Sequence, residues 1–311
     1  MCGKQTDDER IVPDGIEIIS QVGPMMCGGT DAYRDNNAPK KILSKDMTLF
    51  DVNSSFSILA LPPEYDCRNR LWYLSAFAAR SGNGTFVQMA KVTEQRGPKK
   101  SSIAFVKRDV MPDLVDLVNE SDLAKSNGNH SNTHGLPENF GGSVFVKYAS
   151  GETISISNNQ CPVIPYDAAL RIASLFESFM GEEKVPLKDL SGLREVHFSE
   201  ERGDGYTRAV LTFNADGTGT NRKNSRYGAN EYESEKPVDA ETMSRIKKTI
   251  ESCGMLAWAG LPENDFKPVS KKSMAFVFDD GETVAIEDNR DVPYSIGNGF
   301  FTIELEMATK H

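Results

Sequence analysis

Runs in which apolar and polar residues alternate, broken by Gly, Asn and Asp, recur along this chain, separated by segments in which apolar residues return every three or four positions. The alternating runs predict strands over 49–58, 71–79 and 85–92, the last two joined by the turn Gly82-Asn83-Gly84. They predict strands again over 193–198 and 207–213, with Asn214-Ala215-Asp216-Gly217 turning into a further strand. The longer period predicts a helix after Asp109, with Pro112 in its first turn and Met111, Leu114 and Val118 on one face. A second helix is predicted between Asp239 and Gly254, with Met243, Ile246 and Ile250 in the same spacing. A third, capped by Asp167 and ended by Gly181, carries Ala169, Ile172, Ala173, Phe176 and Phe179 on one face.

The order of these elements repeats. Gly135-Leu136-Pro137-Glu138-Asn139 recurs as Gly260-Leu261-Pro262-Glu263-Asn264, and the segment 143–156 aligns with 273–286. Both aligned segments read as strand, tight turn and strand, with Gly151 and Gly281 supplying the positive φ that a hairpin needs. The expectation is an α+β fold of two tandem β-β-β-α-β-β(-α) modules with antiparallel sheets, related by a pseudo-two-fold axis. The modules span residues 41–184 and 187–311, with Lys184-Val185-Pro186-Leu187 as the junction. Residues 1–40, rich in Asp, Gly and Asn, read as a flexible arm whose one apolar patch is Ile16, Ile18 and Ile19. At the far end, Phe301, Ile303, Leu305 and Met307 alternate with polar residues as in a strand, whereas the repeat predicts a helix there.

Composition narrows the partners. A chain of 311 residues with 39% hydrophobic residues can bury more than one core. Its net charge of −10 and its scattered lysine pairs repel phosphate backbones, so nucleic acid is not an expected partner. No segment reaches the ~20 apolar residues of a membrane span. Cys2, Cys27, Cys67, Cys161 and Cys253 are odd in number and widely spaced, which predicts free thiols and a cytoplasmic location for the chain as written. Met1-Cys2-Gly3-Lys4-Gln5 supports an alternative: a bacterial lipoprotein, processed and anchored to the membrane through Cys2, that binds envelope or extracellular components.

No constellation in the sequence defines a catalytic or metal site, and no cofactor is expected. His130 and His134 stand four apart, but the Asn- and Gly-rich segment around them reads as a polar loop rather than a helix, without further zinc ligands. His197 sits in a strand with no nucleophile elbow nearby. Asp216-Gly217 lacks the spacing of a calcium loop, and Gly82-Asn83-Gly84 lacks that of a phosphate cradle. Glu200, Glu201 and Asp204 form an acidic cluster, which reads as solvated. Trp258, Leu261 and Pro262 are expected to pack under the hairpin that follows them.

The segment from Ala38-Pro39-Lys40-Lys41-Ile42-Leu43-Ser44-Lys45-Asp46 into the first strand, together with Trp258-Ala259-Gly260-Leu261 before the late hairpin, resembles a family of uncharacterised bacterial proteins over residues 38–311. These are turn and packing signatures, so the resemblance implies a fold and no activity. The expected function is therefore that of a non-enzymatic binding or interaction protein for a protein or small-molecule ligand. The alternative is a hydrolase that uses carboxylates and His134 or His197 at a cleft between the modules.

Overall fold

A computed structural model describes residues 13–21, 29–57, 70–94, 97–135, 140–258, 270–288 and 292–308. The repeated pentapeptides (apart from Gly135), Leu261, Pro262, Cys2, Cys27 and Cys67 lie outside those residues. The strands are β1 (Ile16–Ser20), β2 (Thr30–Asp35), β3 (Met47–Ser55), β4 (Tyr73–Ser81), β5 (Gly84–Val92) and β6 (Lys100–Val106). Helix α1 (Met111–Glu120) follows, then β7 (Asn129–Thr133), β8 (Gly142–Tyr148), β9 (Thr153–Asn158) and α2 (Tyr166–Met180). The remainder comprises β10 (Leu193–Arg202), β11 (Gly205–Phe213), β12 (Gly219–Tyr227), β13 (Asn230–Val238), α3 (Ala240–Ser252), β14 (Ser270–Phe278), β15 (Thr283–Asp288) and α4 (Tyr294–Ala308). The protein is thus mixed α+β, with one sheet in the order β1-β2-β7-β9-β8-β3-β4-β5-β6 and another in the order β13-β12-β11-β10-β14-β15. β7 pairs with β9 in parallel, whereas β1–β2, β2–β7, β9–β8, β8–β3 and every pair of the second sheet are antiparallel.

Two compact units form from this chain and are interleaved in sequence. One comprises Met1–Ala76, Ala90–Lys100 and Met111–Ser174, the other Phe77–Met89, Ser101–Val110 and Leu175–His311. In the first, α1 lies against β3, and its apolar face of Met111, Leu114, Val115 and Val118 is buried with Phe50, Val52, Val146 and Ile154. In the second, α3 packs on α4, and Met243, Ile246 and Ile250 are buried along with Val196, Phe276 and Ile303. Asp239 caps α3 as its position predicts, its carboxylate accepting from the Thr242 amide at 2.7 Å. Asp167 instead lies inside the first turn of α2, and the Asp109 carboxylate pairs with Arg80 at 2.9 Å.

The two aligned hairpins have the same turn. Gly151 and Gly281 have φ of 87° and 84°, and each donates its amide to the residue three before it, Tyr148 or Phe278. Two expectations are corrected, and a third, left open between strand and helix, resolves to the helix that the repeat predicts. Within the segment read as an arm, Ile16–Ser20 and Thr30–Asp35 are the paired strands β1 and β2. The segment read as a polar loop around His130 is β7, held on one side by β2 and on the other by β9. Residues 300–307 are helical, because the positions buried there, Phe300, Ile303 and Met307, continue a stripe that starts at Ile296. No helix among the described residues is long and apolar enough to cross a membrane.

Candidate functional site

The first unit carries a polar row built by strand register. Val52, Val144 and Ile156 stand opposite one another on β3, β8 and β9 and are buried, so the next positions, Asn53, Ser143 and Ser157, project from the other side of the sheet. The parallel pairing of β7 with β9 then sets His130 beside Ser157, and β2 sets Tyr33 beside His130. Five neighbouring strands thereby give one side chain each to a single line. Asn53 Nδ2 donates to Ser143 Oγ at 2.6 Å, and His130 Nδ1 shares a hydrogen bond of 2.9 Å with Ser157 Oγ. The Tyr33 and His130 rings stack, 4.7 Å between centroids and 22° between planes. Burial pushes His130 below its ordinary pKa of 6.5, against the opposing pull of Asp35.

One end of this row opens into a cleft of about 1060 Å³. Its polar lining includes Asn53, Ser143 and Ser157 from the row and Ser131, Asn132 and Asn158 beside it, and its aromatic lining is Trp72, Tyr73 and Phe140. All three rings are half-buried. The Trp72 backbone is fixed by its amide to Val92 and its carbonyl to the Phe56 amide, and the Arg70 guanidinium lies 4.0 Å from the indole ring. Lys99 Nζ covers the Tyr73 ring at 4.8 Å. Glycine is required where β8 enters the sheet. A Cβ on Gly141 would fall 1.7 Å from the Asn158 carbonyl, and one on Gly142 would fall 2.0 Å from that of Asn53.

The chemistry of the cleft is neutral and two-sided. Asn158 Oδ1 accepts from the Gln160 and Cys161 amides, and Asn132 Oδ1 accepts from Asn159, which leaves both Nδ2 groups as donors without a partner among the described residues. Asn53, whose Nδ2 is engaged, keeps Oδ1 as an acceptor. No carboxylate, amine, guanidinium, imidazole or thiol is among the described residues that line it. The arrangement can orient a ligand by hydrogen bonds and ring contact.

The residues singled out by chemical type lie elsewhere. His134 Nε2 meets Asp31 at 2.7 Å on the surface, and His197 Nε2 meets Glu195 at 2.6 Å on β10. In neither pair does the second ring nitrogen have a partner among the described residues. Glu200 is an ion-pair residue, with Arg202 at 2.7 Å and Lys272 at 3.5 Å. Lys272 also holds Glu304 at 2.8 Å; burial lowers its pKa, but these carboxylates outweigh that and raise it. Glu201 pairs with Arg208 at 3.7 Å, and the Asp204 carbonyl accepts from Arg226 at 3.3 Å. Asp216 closes its own turn through Thr218, and Gly82 takes a positive φ of 54° in a hairpin. Trp258 is fully buried against Phe77 and Phe86, at 5.9 and 5.6 Å between centroids, so it packs on the β4–β5 hairpin. Cys161 and Cys253 are free, and burial pushes the Cys253 thiol up. Among the described residues no three His, Cys, Asp or Glu side chains converge as a metal requires.

A smaller cavity of about 610 Å³ lies in the second unit, lined in part by Gln88, Cys253, Ser295 and Asn298. The Gln88 side-chain carbonyl accepts from the Ser295 amide at 3.3 Å, and the buried Ser295 hydroxyl has no partner among the described residues.

The polar cleft escaped a reading by residue type because Ser and Asn carry no distinctive chemistry alone. The available signal was the outward positions at one end of β3, β8 and β9, Asn53, Ser143 and Ser157, which are small and neutral where Asp51, Phe145 and Lys147 follow further along. Fold and cleft together define a mixed α+β protein with a neutral, aromatic-walled cleft. No family model matches this chain, and no curated protein does.

Proposed function

We propose that this chain is a non-enzymatic binding protein whose small-molecule ligand seats in the cleft of the first unit. The observation that carries the reading is the lining: unspent donors and acceptors beside three aromatic rings, with no carboxylate, amine, guanidinium, imidazole or thiol among the described residues that form it, His130 meeting it only through the Ser157 hydroxyl at 2.9 Å. The hydrolase alternative has His134–Asp31 and His197–Glu195 as base and orienting carboxylate, but neither histidine has a hydroxyl or thiol on its second nitrogen among the described residues.

We also read the two sheets as copies of one module. Supporting this, β6-β5-β4-β3-β8-β9 and β13-β12-β11-β10-β14-β15 run in the same order. Each copy has four strands, a helix, a 3-10 turn entered through a left-handed residue (Asp122 or Gly254), a hairpin and a closing helix. On this reading β1, β2 and β7 are additions to the first copy, and β2 and β7 complete the polar row.

Thermal unfolding in the presence of a chemically diverse small-molecule library tests the binding reading. At least one class of compound raises the melting temperature, and Ser143→Leu, which fills the cleft from a half-buried position, removes that rise while the unliganded protein stays folded. A rise that survives Ser143→Leu unchanged, or none with any compound, defeats the reading.

A further inference from the structure

We infer that the ligand of this cleft is a neutral carbohydrate, a short oligosaccharide in size, an inference that rests on the cleft being the binding site. Each hydroxyl of a sugar ring both donates and accepts, so a site for it needs donors and acceptors side by side. The Nδ2 groups of Asn132 and Asn158 and the Oδ1 of Asn53, without partners among the described residues, and the hydroxyls of Ser131 and Ser143 supply both kinds in the lining. A pyranose is also amphipathic, with a face of C–H groups that packs on an aromatic ring, and Trp72, Tyr73 and Phe140 supply such rings.

Charge decides against the other small-ligand classes. A phosphate or carboxylate ligand would lose its hydration to a lining that carries no cation of its own, Arg70 and Lys99 being engaged with the Trp72 and Tyr73 rings, on a chain of net charge −10. A cationic ligand would find no carboxylate there. The polar wall outnumbers what a nucleobase edge could use, because a planar base presents few groups and no ring hydroxyls. The volume of about 1060 Å³ sits at the top of the range of about 300–1000 Å³ for small-ligand pockets, which suits two or three sugar rings better than one.

The chain's two tryptophans make the test specific. Trp258 is fully buried in the second unit, whereas Trp72 lines the cleft, so a ligand in the cleft changes Trp72 emission over a constant background. The full chain is titrated with maltotriose, cellotriose, xylotriose and tri-N-acetylchitotriose, and in parallel with trigalacturonate, adenosine and a neutral tripeptide. The expected result is a saturable change with at least one neutral trisaccharide, absent in Trp72→Phe. By calorimetry, Asn53→Ala weakens the same trisaccharide about tenfold or more, the loss of one well-placed hydrogen bond. Circular dichroism confirms that both variants are folded.

Saturation by trigalacturonate, adenosine or the tripeptide, with no neutral sugar bound, overturns the carbohydrate inference and leaves the cleft as the site. Calorimetric binding of a trisaccharide that Trp72→Phe and Asn53→Ala leave unchanged overturns the cleft itself. Silence from every compound defeats both.

Discussion

His130 is where a single proton meets the polar row. In the folded chain its pKa lies below 6.5, because burial disfavours the imidazolium more than Asp35 favours it. The unfolded chain therefore takes up the proton first as pH falls. Stability from this group is complete above about pH 6.5 and declines as pH drops through that value towards the lowered folded one. The groups facing it are the Ser157 hydroxyl, the stacked Tyr33 ring and the Asp35 carboxylate. His130→Gln should flatten the fall in melting temperature between pH 7.5 and 5; parallel wild-type and variant curves would show that His130 does not drive it. The same residue shows how far the sequence could be read. Its spacing from His134 drew attention to metal chemistry, but its partner Ser157 is brought beside it by a parallel pairing of β7 with β9 that no local pattern announces. Asn53, Ser143 and Trp72 carry no signal singly, because the cleft they line exists only once the sheet brings them together.

Most elements with a buried face were legible, but β6, whose buried face is only Ala104 and Val106, was not, nor was β13, so the three strands expected before α1 and before α3 are four. β13 is exposed along almost its whole length, its Glu231, Glu233 and Glu235 alternating with Tyr232, Ser234 and Lys236, so no apolar period marks it. In α4 the alternation of Phe301, Ile303, Leu305 and Met307 misleads because Phe301 and Leu305 are exposed at 63% and 52%. Removing those two leaves Ile296, Phe300, Ile303 and Met307, a helical stripe. Helix caps were read directly where the cap is a side chain. Asp239→Ala removes the acceptor of the Thr242 amide and should cost about 1 kcal/mol in chemical denaturation. A loss below a few tenths would mean that water replaces the carboxylate without penalty.

For the whole molecule, contiguity in sequence and contact in space part company. The repeat suggests that residues 187–311 form a module, yet the compact unit to which they belong also contains Phe77–Met89 and Ser101–Val110. Trp258 is buried against Phe77 and Phe86, the Ser81 hydroxyl donates to the Ala257 carbonyl at 3.0 Å, and Gln88 accepts from the Ser295 amide. A fragment of residues 187–311 lacks every one of those partners. Exposing one large aromatic side chain alone forfeits about 1.5–3 kcal/mol, a large share of the stability of a domain this small. The fragment should therefore show water-exposed emission from Trp258, its only tryptophan, and no cooperative urea transition, whereas the full chain buries that indole. A fragment with blue-shifted emission and a sharp transition would instead establish residues 187–311 as a self-sufficient module, with the strands of the first half serving only as its cover.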